Sequence, residues 1–165
     1  MASDRDHPAV QLVRTALREA GAESAADGIV WLDDAASTAA LAAEALGVEV
    51  GAIANSLVFL IDGEPLLVLT SGAHRVDTEW LGAELGGTIS RAGAAQVKEA
   101  TGQVIGGVAP LGHPQPLRTV VDVALAAHPV VWAAAGHAHT VYPTSFEELV
   151  RVTGGTPSEV VPPAV

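Results

Sequence analysis

The 165-residue chain contains no cysteine, which excludes a disulfide framework and catalysis by a thiol. Lysine and arginine together number 8 against 19 aspartate and glutamate residues, for a formal net charge of −11. Sequence-independent binding to nucleic acid depends on many basic contacts with phosphates, so this charge balance argues against it. A chain this acidic can still hold the end of a nucleic acid, where only one or two phosphates are near.

Long hydrophobic runs are also missing. No stretch approaches the roughly 18 apolar residues that a membrane-spanning helix needs. The first eight residues are polar and lack the apolar segment of a secretory signal. Gly-x-Ser-x-Gly, P-loop and Gly-x-Gly-x-x-Gly patterns are absent, which leaves serine-hydrolase, NTPase and dinucleotide-binding readings without support. We therefore expect a cytoplasmic protein that does not bind membranes.

The apolar fraction, 49 %, is sufficient for one packed core. We expect a single domain over residues 1–165, with an ordered core at about 8–155 and a loose, proline-containing tail at 156–165. The strongest local signal is a hairpin from Ile53 to Leu69, in which Asp62 and Gly63 form the turn. Both of its apolar runs are continuous, which predicts that both faces of the sheet are covered.

The remaining elements follow from apolar spacing and capping residues. Helices are predicted at 8–20, 38–46 (capped by Ser37 or Thr38), 78–85 (started by Asp77 or Thr78), 94–100 and 144–152, the last opened by a capping box from Thr144 to Glu147. Strands are predicted at 29–32, 88–91, 117–122, 130–136 and 140–142, with a helical turn at 123–127. This mixture predicts an α+β fold with a largely antiparallel or mixed sheet.

The stretch Thr101–Gly112 carries four glycines and one proline in an otherwise apolar run. That density of glycine excludes a helix, and the proline removes a backbone donor. We expect a rigid turn whose backbone N–H groups line one wall, where they could hold a carbonyl or carboxylate oxygen. A tight connection between two buried strands is the structural alternative.

Histidines and one aspartate are further candidates. His137 and His139 stand two apart after a strand, so both would point to one face, but no third ligand has comparable spacing. We therefore predict no metal and no other cofactor. His113 follows the glycine-rich turn and is either a ligand contact or exposed to solvent. Asp122 ends an apolar strand, where it either caps the following turn or belongs to a site.

Two blocks read together resemble the YbaK/ProX family of aminoacyl-tRNA deacylases, a domain that also occurs as the editing insertion of bacterial prolyl-tRNA synthetases. The blocks are Ala52-Ile53-Ala54-Asn55-Ser56-Leu57-Val58-Phe59 and the run from Thr101-Gly102 through Gly106-Gly107-Val108-Ala109-Pro110-Leu111-Gly112. The resemblance extends from about Ala35 to Gly155 and includes the strand ending in Asp122 and the Ala135-Gly136 turn. It implies a mixed, partly barrel-like sheet surrounded by helices.

The resemblance also implies an activity: hydrolysis, in trans, of the ester that joins a wrong amino acid to the terminal ribose of a tRNA. The amides of the loop would stabilise the oxyanion in the aminoacyl pocket. The residues that it assigns to catalysis are Asn55, Gly106, Gly107, Val108, Ala109 and Pro110. Those assigned to substrate binding are Ser56, Phe59, Asp122, Gly136 and His137. The implied partner is the 3′ end of aminoacyl-tRNA, with an aminoacyl-tRNA synthetase as a further candidate and no DNA.

One position departs from the family pattern. A lysine usually precedes the Ser/Thr-Leu pair of the first block, whereas this chain has Asn55, which carries no charge. Loss of a charge-assisted contact with a phosphate would cost about 1.5–3 kcal/mol. Lys98, in the helix before the loop, is a candidate substitute.

Three readings stay open at this point. The first is an active trans-editing deacylase. The second, suggested by Asn55, is a non-catalytic module that binds aminoacyl-tRNA or aminoacyl-adenosine and lost its activity. The third is an unrelated small-molecule hydrolase that uses the same oxyanion wall.

Overall fold

A computed structural model describes residues 7–36 and 38–162. Its helices are α1 (Pro8–Glu19), α2 (Glu23–Asp27), α3 (Ala39–Leu46), α4 (Thr78–Leu85), α5 (Ala94–Thr101) and α6 (Phe146–Thr153), with 3-10 turns at Val50–Ala52 and Val123–Ala127. Its strands are β1 (Val30–Trp31), β2 (Ile53–Ile61), β3 (Glu64–Ser71), β4 (Ile89–Arg91), β5 (Arg118–Asp122), β6 (Val131–Ala134), β7 (Thr140–Thr144) and β8 (Thr156–Ser158).

The strands form one mixed sheet in the order β1-β7-β6-β2-β3-β5-β8, with β4 also paired to β2. The β2–β3 hairpin lies at its centre and turns at Asp62 and Gly63, both of which have positive φ. Pairing is parallel between β2 and β6, between β3 and β5, and between β5 and β8, and antiparallel elsewhere. The predicted α+β fold with a mixed sheet is therefore confirmed. Its end strands β1 and β8 do not pair within the described residues, so the barrel-like part is open.

Both faces of the sheet are covered, as the continuous apolar runs of the hairpin predict. Leu67 and Leu69 face the larger core, which α1, α2, α6 and the glycine-rich loop complete. Leu66 and Val68 face the opposite way and pack with Leu81 of α4. A third cluster joins α3 to the start of β2. The elements on both faces hold β2 rigidly, and β2 is the strand that carries the first of the two sequence blocks.

The structure corrects two expectations about element ends and confirms one of two alternatives at a third. Residues 156–158 pair with β5, and Val160 is fully buried, so the tail up to 162 is not loose. The cap of α6 is Ser145, whose Oγ accepts from Glu148 N, because the Thr144 hydroxyl instead donates to the Glu148 carboxylate. Thr38 caps α3, and the alternative cap Ser37 lies outside the described residues.

The sequence analysis also missed α2 and β8, which are short and have weak patterns of their own. In the part of the chain that the structure describes, no helix has both the length and the apolar character needed to cross a membrane.

Candidate active site

The candidate site begins at a gap in the sheet beside β2. One edge of β2 pairs with β3 along its whole length, whereas the other pairs with β6 only at Ile53 and Ala54 and with β4 only from Phe59 to Ile61. Residues 55–58 have no strand beside them on that edge in the described structure. Alternate residues of an antiparallel strand direct their peptide groups to opposite sides. Two of these four residues therefore direct backbone donors and acceptors into the gap.

Two cavities open at this gap. The α3 cavity, of about 190 Å³, is bounded by the start of α3, by β6 and by β2. The β4 cavity, of about 180 Å³, lies further along β2. The two cavities share five lining residues: Ser56, Leu57, Ile105, Gly106 and Val108. The glycine-rich loop thus faces the unpaired edge of β2, and a ligand lying between them would occupy both cavities.

The backbone amides of the loop differ in what they bond. Gly107 N donates to Val104 O at 3.1 Å, and Ala109 N donates to Gln103 Oε1 at 2.7 Å. Pro110 has no N–H. The amides of Gly106 and Val108 have no acceptor within residues 7–36 and 38–162, and both residues line both cavities. The predicted wall of amides therefore has two donors without an acceptor. Two is also the usual number of donors in an oxyanion hole.

Side chains on either side of the loop hold it in place. Ala109 is fully buried, and its carbonyl oxygen accepts from His113 Nε2 at 2.8 Å. The backbone N–H of Ala109 is bonded to the Gln103 side chain and its carbonyl oxygen to the His113 side chain. Side chains therefore satisfy both backbone groups of Ala109, and no strand partner is needed. Burial lowers the pKa of His113, partly offset by its bond to Ala109 O, and so favours the neutral ring. The sequence analysis expected His113 to be either a ligand contact or an exposed residue. In the structure, its side chain instead supports the loop.

Glycine is required at two loop positions. Gly106 has φ +97°, a conformation that other residues rarely adopt. A Cβ on Gly107 would lie 2.6 Å from the carbonyl carbon of His137. Gly136 N also donates to Gly107 O at 2.9 Å. The loop therefore rests directly on the backbone that follows β6.

Three β2 side chains predicted for the site line the cavities. Asn55 borders the α3 cavity, Phe59 borders the β4 cavity, and Ser56 borders both. Ser56 Oγ is buried and has no hydrogen-bond partner in the described structure. Four other buried polar atoms share this property, namely His7 Nδ1, Trp31 Nε1, Gln103 Nε2 and Tyr142 OH. Ser56 is the one among them that lines either cavity, and leaving a buried hydroxyl unpaired is costly unless a ligand bonds it.

Asp122 lies elsewhere. Its side chain is fully buried, and Oδ2 accepts from Ser71 N and His74 Nδ1, both at 2.9 Å, and from the Thr70 hydroxyl at 3.3 Å. Oδ1 accepts from Ala124 N at 2.9 Å. Asp122 thus caps the turn after β5, the structural alternative of the sequence analysis, and borders neither cavity.

Gly136 and His137 lie behind the loop rather than in either cavity. The His137 ring packs between those of His7, Trp31 and His139, at centroid distances of 4.8, 5.0 and 5.4 Å. His139 N donates to His137 Nδ1 at 3.1 Å. Both residues therefore support the loop at Gly107. Within the described ranges, no group of three or more His, Cys, Asp or Glu could hold a metal ion.

Several residues of the site were missed by the sequence analysis. Alanines of α3 and β6 form much of the α3 cavity, and Arg91 borders the β4 cavity. Gln103, which orders the loop, is also new. Lys98 does not substitute for the missing lysine, because it is exposed at the end of α5 and its Nζ donates to Gly102 O at 3.4 Å. Among these roles, only that of Gln103 had a signal in the sequence, because Gln103 lies a few residues before Gly106 and Gly107.

A family model for the aminoacyl-tRNA editing domain matches residues 33–152. The chain belongs to the aminoacyl-tRNA editing domain family. The match contains both sequence blocks, every strand that borders the cavities and the whole loop. It begins after β1, so α1 and α2 precede it.

Individual proteins agree with this assignment. A crystal structure of a candidate trans-editing enzyme for prolyl-tRNA synthetase is 35 % identical, with a TM-score of 0.86 over 93 % of this chain and 97 % of that chain. The crystal structure of the hypothetical protein APE2540 is 27 % identical, with a TM-score of 0.82 over 90 % and 98 % of the two chains. The uncharacterized protein YwhH of Bacillus subtilis (strain 168) is 28 % identical over 122 residues, which are 73 % of this chain and 78 % of YwhH.

Proposed function

We propose that this editing-domain protein is a deacylase that hydrolyses, in trans, the ester of a mischarged aminoacyl-tRNA. The observation that carries the proposal is the pair of amides without acceptors at Gly106 and Val108, two residues that line both cavities at the gap in the sheet. Donors left without acceptors in a partly closed site are suited to an oxygen that gains negative charge. Such a substrate also places the protein in the cytoplasm, where aminoacyl-tRNA is made.

The geometry suggests how the ester would lie. Its carbonyl oxygen would accept from the two amides at the junction of the cavities. Water would add to the carbonyl carbon, the two amides would stabilise the resulting oxyanion, and the bond to the ribose oxygen would break. That oxygen takes up a proton as the ribose hydroxyl, and the amino acid leaves as its carboxylic acid. Ser56 Oγ, also at the junction, can bond the ribose oxygen that is released.

The α3 cavity favours a small acyl group. Six of its lining residues are alanines, namely Ala36, Ala39, Ala42, Ala54, Ala133 and Ala134, and none of the described residues that line it is charged. At about 190 Å³, it has room for a side chain of few carbon atoms. Asn55 also borders it, and its side-chain oxygen can accept from the α-ammonium group that every aminoacyl ester carries.

A panel of mischarged tRNAs tests the proposal. We expect at least one pair with a small amino acid to be deacylated well above the buffer rate, since oxyanion stabilisation by two donors is worth several orders of magnitude. Release of free amino acid measures the rate. Folded protein that hydrolyses none of the pairs would contradict the proposal.

Asn55 favours a second candidate, a binding module without catalysis. This candidate predicts that aminoacyl-adenosine analogues raise the melting temperature of the protein while no pair is hydrolysed. The variant Asn55→Lys separates the two. A large gain in deacylation indicates that activity was lost with the lysine, whereas no gain or a loss indicates that Asn55 is part of a working site.

A further inference from the structure

We propose that Arg91 binds the 5′-phosphate of the terminal nucleotide of the tRNA, and that this contact orients the aminoacyl ester across the two cavities. The inference rests on the proposed function and adds a residue and a direction to it. It begins from charge. Among the described residues that line the two cavities, Arg91 is the one with a charged side chain.

The Arg91 side chain is available for a ligand. It is exposed, and it makes no ion pair or hydrogen bond with any side chain or carbonyl in the described ranges. Arg18 pairs with Glu23 and Asp27, and Arg151 pairs with Glu148, whereas Arg75 also lacks a partner in the described ranges but borders neither cavity. A guanidinium group without a partner in a chain of net charge −11 is well suited to a phosphate, which it can bind through two parallel hydrogen bonds.

The strand register fixes where Arg91 lies. Arg91 of β4 is the partner of Phe59 of β2, so the two side chains project from the same face of the sheet. Asn55 lies on this face as well, four residues before Phe59. The separation between positions 55 and 59 is about 13 Å along the strand. Arg91 is thus at the far end of the site from the α3 cavity, and it contacts a different part of the ligand than Asn55 does.

This position determines the direction of the substrate. The uncharged α3 cavity takes the acyl group, the ester lies at the amides of Gly106 and Val108, and the nucleoside lies in the β4 cavity beside Phe59. The phosphate then reaches Arg91. The reverse orientation would place a phosphate in the α3 cavity, where none of the lining residues that the structure describes is a cation.

Two probes that cannot be hydrolysed isolate the contact. The first is 3′-aminoacylamino-3′-deoxyadenosine, in which an amide replaces the ester, and the second is the same molecule with a 5′-phosphate. We expect the phosphate to tighten binding to the wild-type protein about tenfold, as for a hydrogen bond to a charged group at an exposed site. Titration calorimetry on the wild type, Arg91→Gln, Arg91→Lys and Arg75→Gln measures the effect. Arg75 is the matched control, since it is an exposed arginine that borders neither cavity.

The outcomes separate cleanly. The advantage of the phosphate should vanish in Arg91→Gln, persist in part in Arg91→Lys and stay unchanged in Arg75→Gln, while affinity for the nucleoside probe is the same in all four proteins. An equal phosphate advantage in wild type and Arg91→Gln overturns the inference, as does failure of the wild type to bind either probe. Melting temperatures confirm that each variant is folded.

Failure of the proposed function is distinguishable from failure of this inference. If no tRNA is deacylated but the phosphate advantage depends on Arg91, the proposed function fails and the contact stands. If tRNA is deacylated, Arg91→Gln should also reduce the steepness of log kcat/KM against log salt concentration by about 0.7, the value for one phosphate of a single strand. Deacylation with an unchanged salt dependence in that variant counts against the contact alone.

Discussion

Two polar clusters of this domain have opposite hydrogen-bond arrangements. Around Asp122, one fully buried carboxylate accepts from four donors on three segments of the chain. At the gap beside β2, the amides of Gly106 and Val108 and the hydroxyl of Ser56 have no partners within the described residues. The first cluster is complete without a ligand, whereas the second lacks an acceptor. Buried polar groups in proteins are nearly always paired, so an incomplete cluster beside a cavity is a candidate ligand site.

Whether the hydrogen bonds of a cluster are complete distinguishes a structural cluster from a candidate site better than its residue types do. Asp122 and His74 form an acid–histidine pair of the kind that often marks a catalytic site, yet all the bonds of the carboxylate are internal. Ser71 is close to them, but its hydroxyl donates to Gly51 O at 2.8 Å. The candidate site, by contrast, contains no acid or base among its shared lining residues. The chemistry proposed for it therefore depends on backbone donors.

The largest effect that we expect tests the complete cluster. Replacing Asp122 by alanine leaves the buried amide of Ser71 without an acceptor and removes the cap at Ala124, so the free energy of unfolding should fall by about 3–5 kcal/mol. Urea denaturation measures it. Deacylation by the folded protein at low temperature should stay within a factor of about three, because Asp122 borders neither cavity.

The variant Asp122→Asn is the matched control for that experiment. It keeps one acceptor oxygen and the shape of the side chain, so its loss of stability should be smaller than that of Asp122→Ala. A fall in kcat of a hundredfold or more in folded Asp122→Ala would show that the carboxylate acts in the reaction, contrary to the contrast drawn here.

The second effect tests the incomplete cluster. An ester in place of the Gly107–Val108 peptide bond removes the Val108 N–H and keeps the side chain. We expect kcat for deacylation to fall about 100- to 1000-fold, as for the loss of one oxyanion donor, with little change in stability. Single-turnover hydrolysis of the best substrate from the tRNA panel measures it.

The control places the same ester at Gly107, whose N–H donates to Val104 O instead of facing a cavity. There the loss should be about 1 kcal/mol of stability, with a much smaller change in kcat. Equal losses of kcat at the two positions would mean that the loop responds as a whole and that Val108 N–H is not a specific donor.

The sequence was sufficient for the parts of the fold that depend on local signals. Asp62 and Gly63 form the predicted hairpin turn, and the continuous apolar runs of β2 and β3 are covered on both faces. Asp77 and Ser145 cap helices through patterns that are visible locally, although the capping box was placed one residue early. The glycine-rich loop was also predicted, because its residue types are unusual, whereas Ser56 was implied by the family resemblance alone.

What the sequence could not show depends on contacts between distant residues. The gap beside β2 exists because β6 and β4 each cover only part of the same edge of β2. No local sequence pattern predicts that two strands share one edge in this way. Arg91 was missed for the same reason. A lone arginine in a short strand can be assigned to the candidate site only when its pairing with Phe59 is known. Five loop residues were predicted as one catalytic wall, but Gln103 and Val104 occupy two of the amides, and Pro110 has none.

The smallest effect that we expect concerns the support of the loop and depends on pH. Burial lowers the pKa of His113 below its ordinary value of 6.5 in the folded protein, so the unfolded chain binds a proton more readily near that pH. The contribution of His113 to stability is therefore complete above pH 6.5 and is lost as the pH falls toward the lowered folded value, with a slope of at most about 1.4 kcal/mol per pH unit.

His113→Gln keeps a side-chain donor for Ala109 O but does not titrate. The difference in unfolding free energy between wild type and this variant, measured by urea denaturation from pH 8 to pH 5, should therefore be constant above pH 7 and shift against the wild type below pH 6.5. A difference that stays constant down to pH 5 would show that the ring is not held neutral and that its bond to Ala109 O does not depend on protonation.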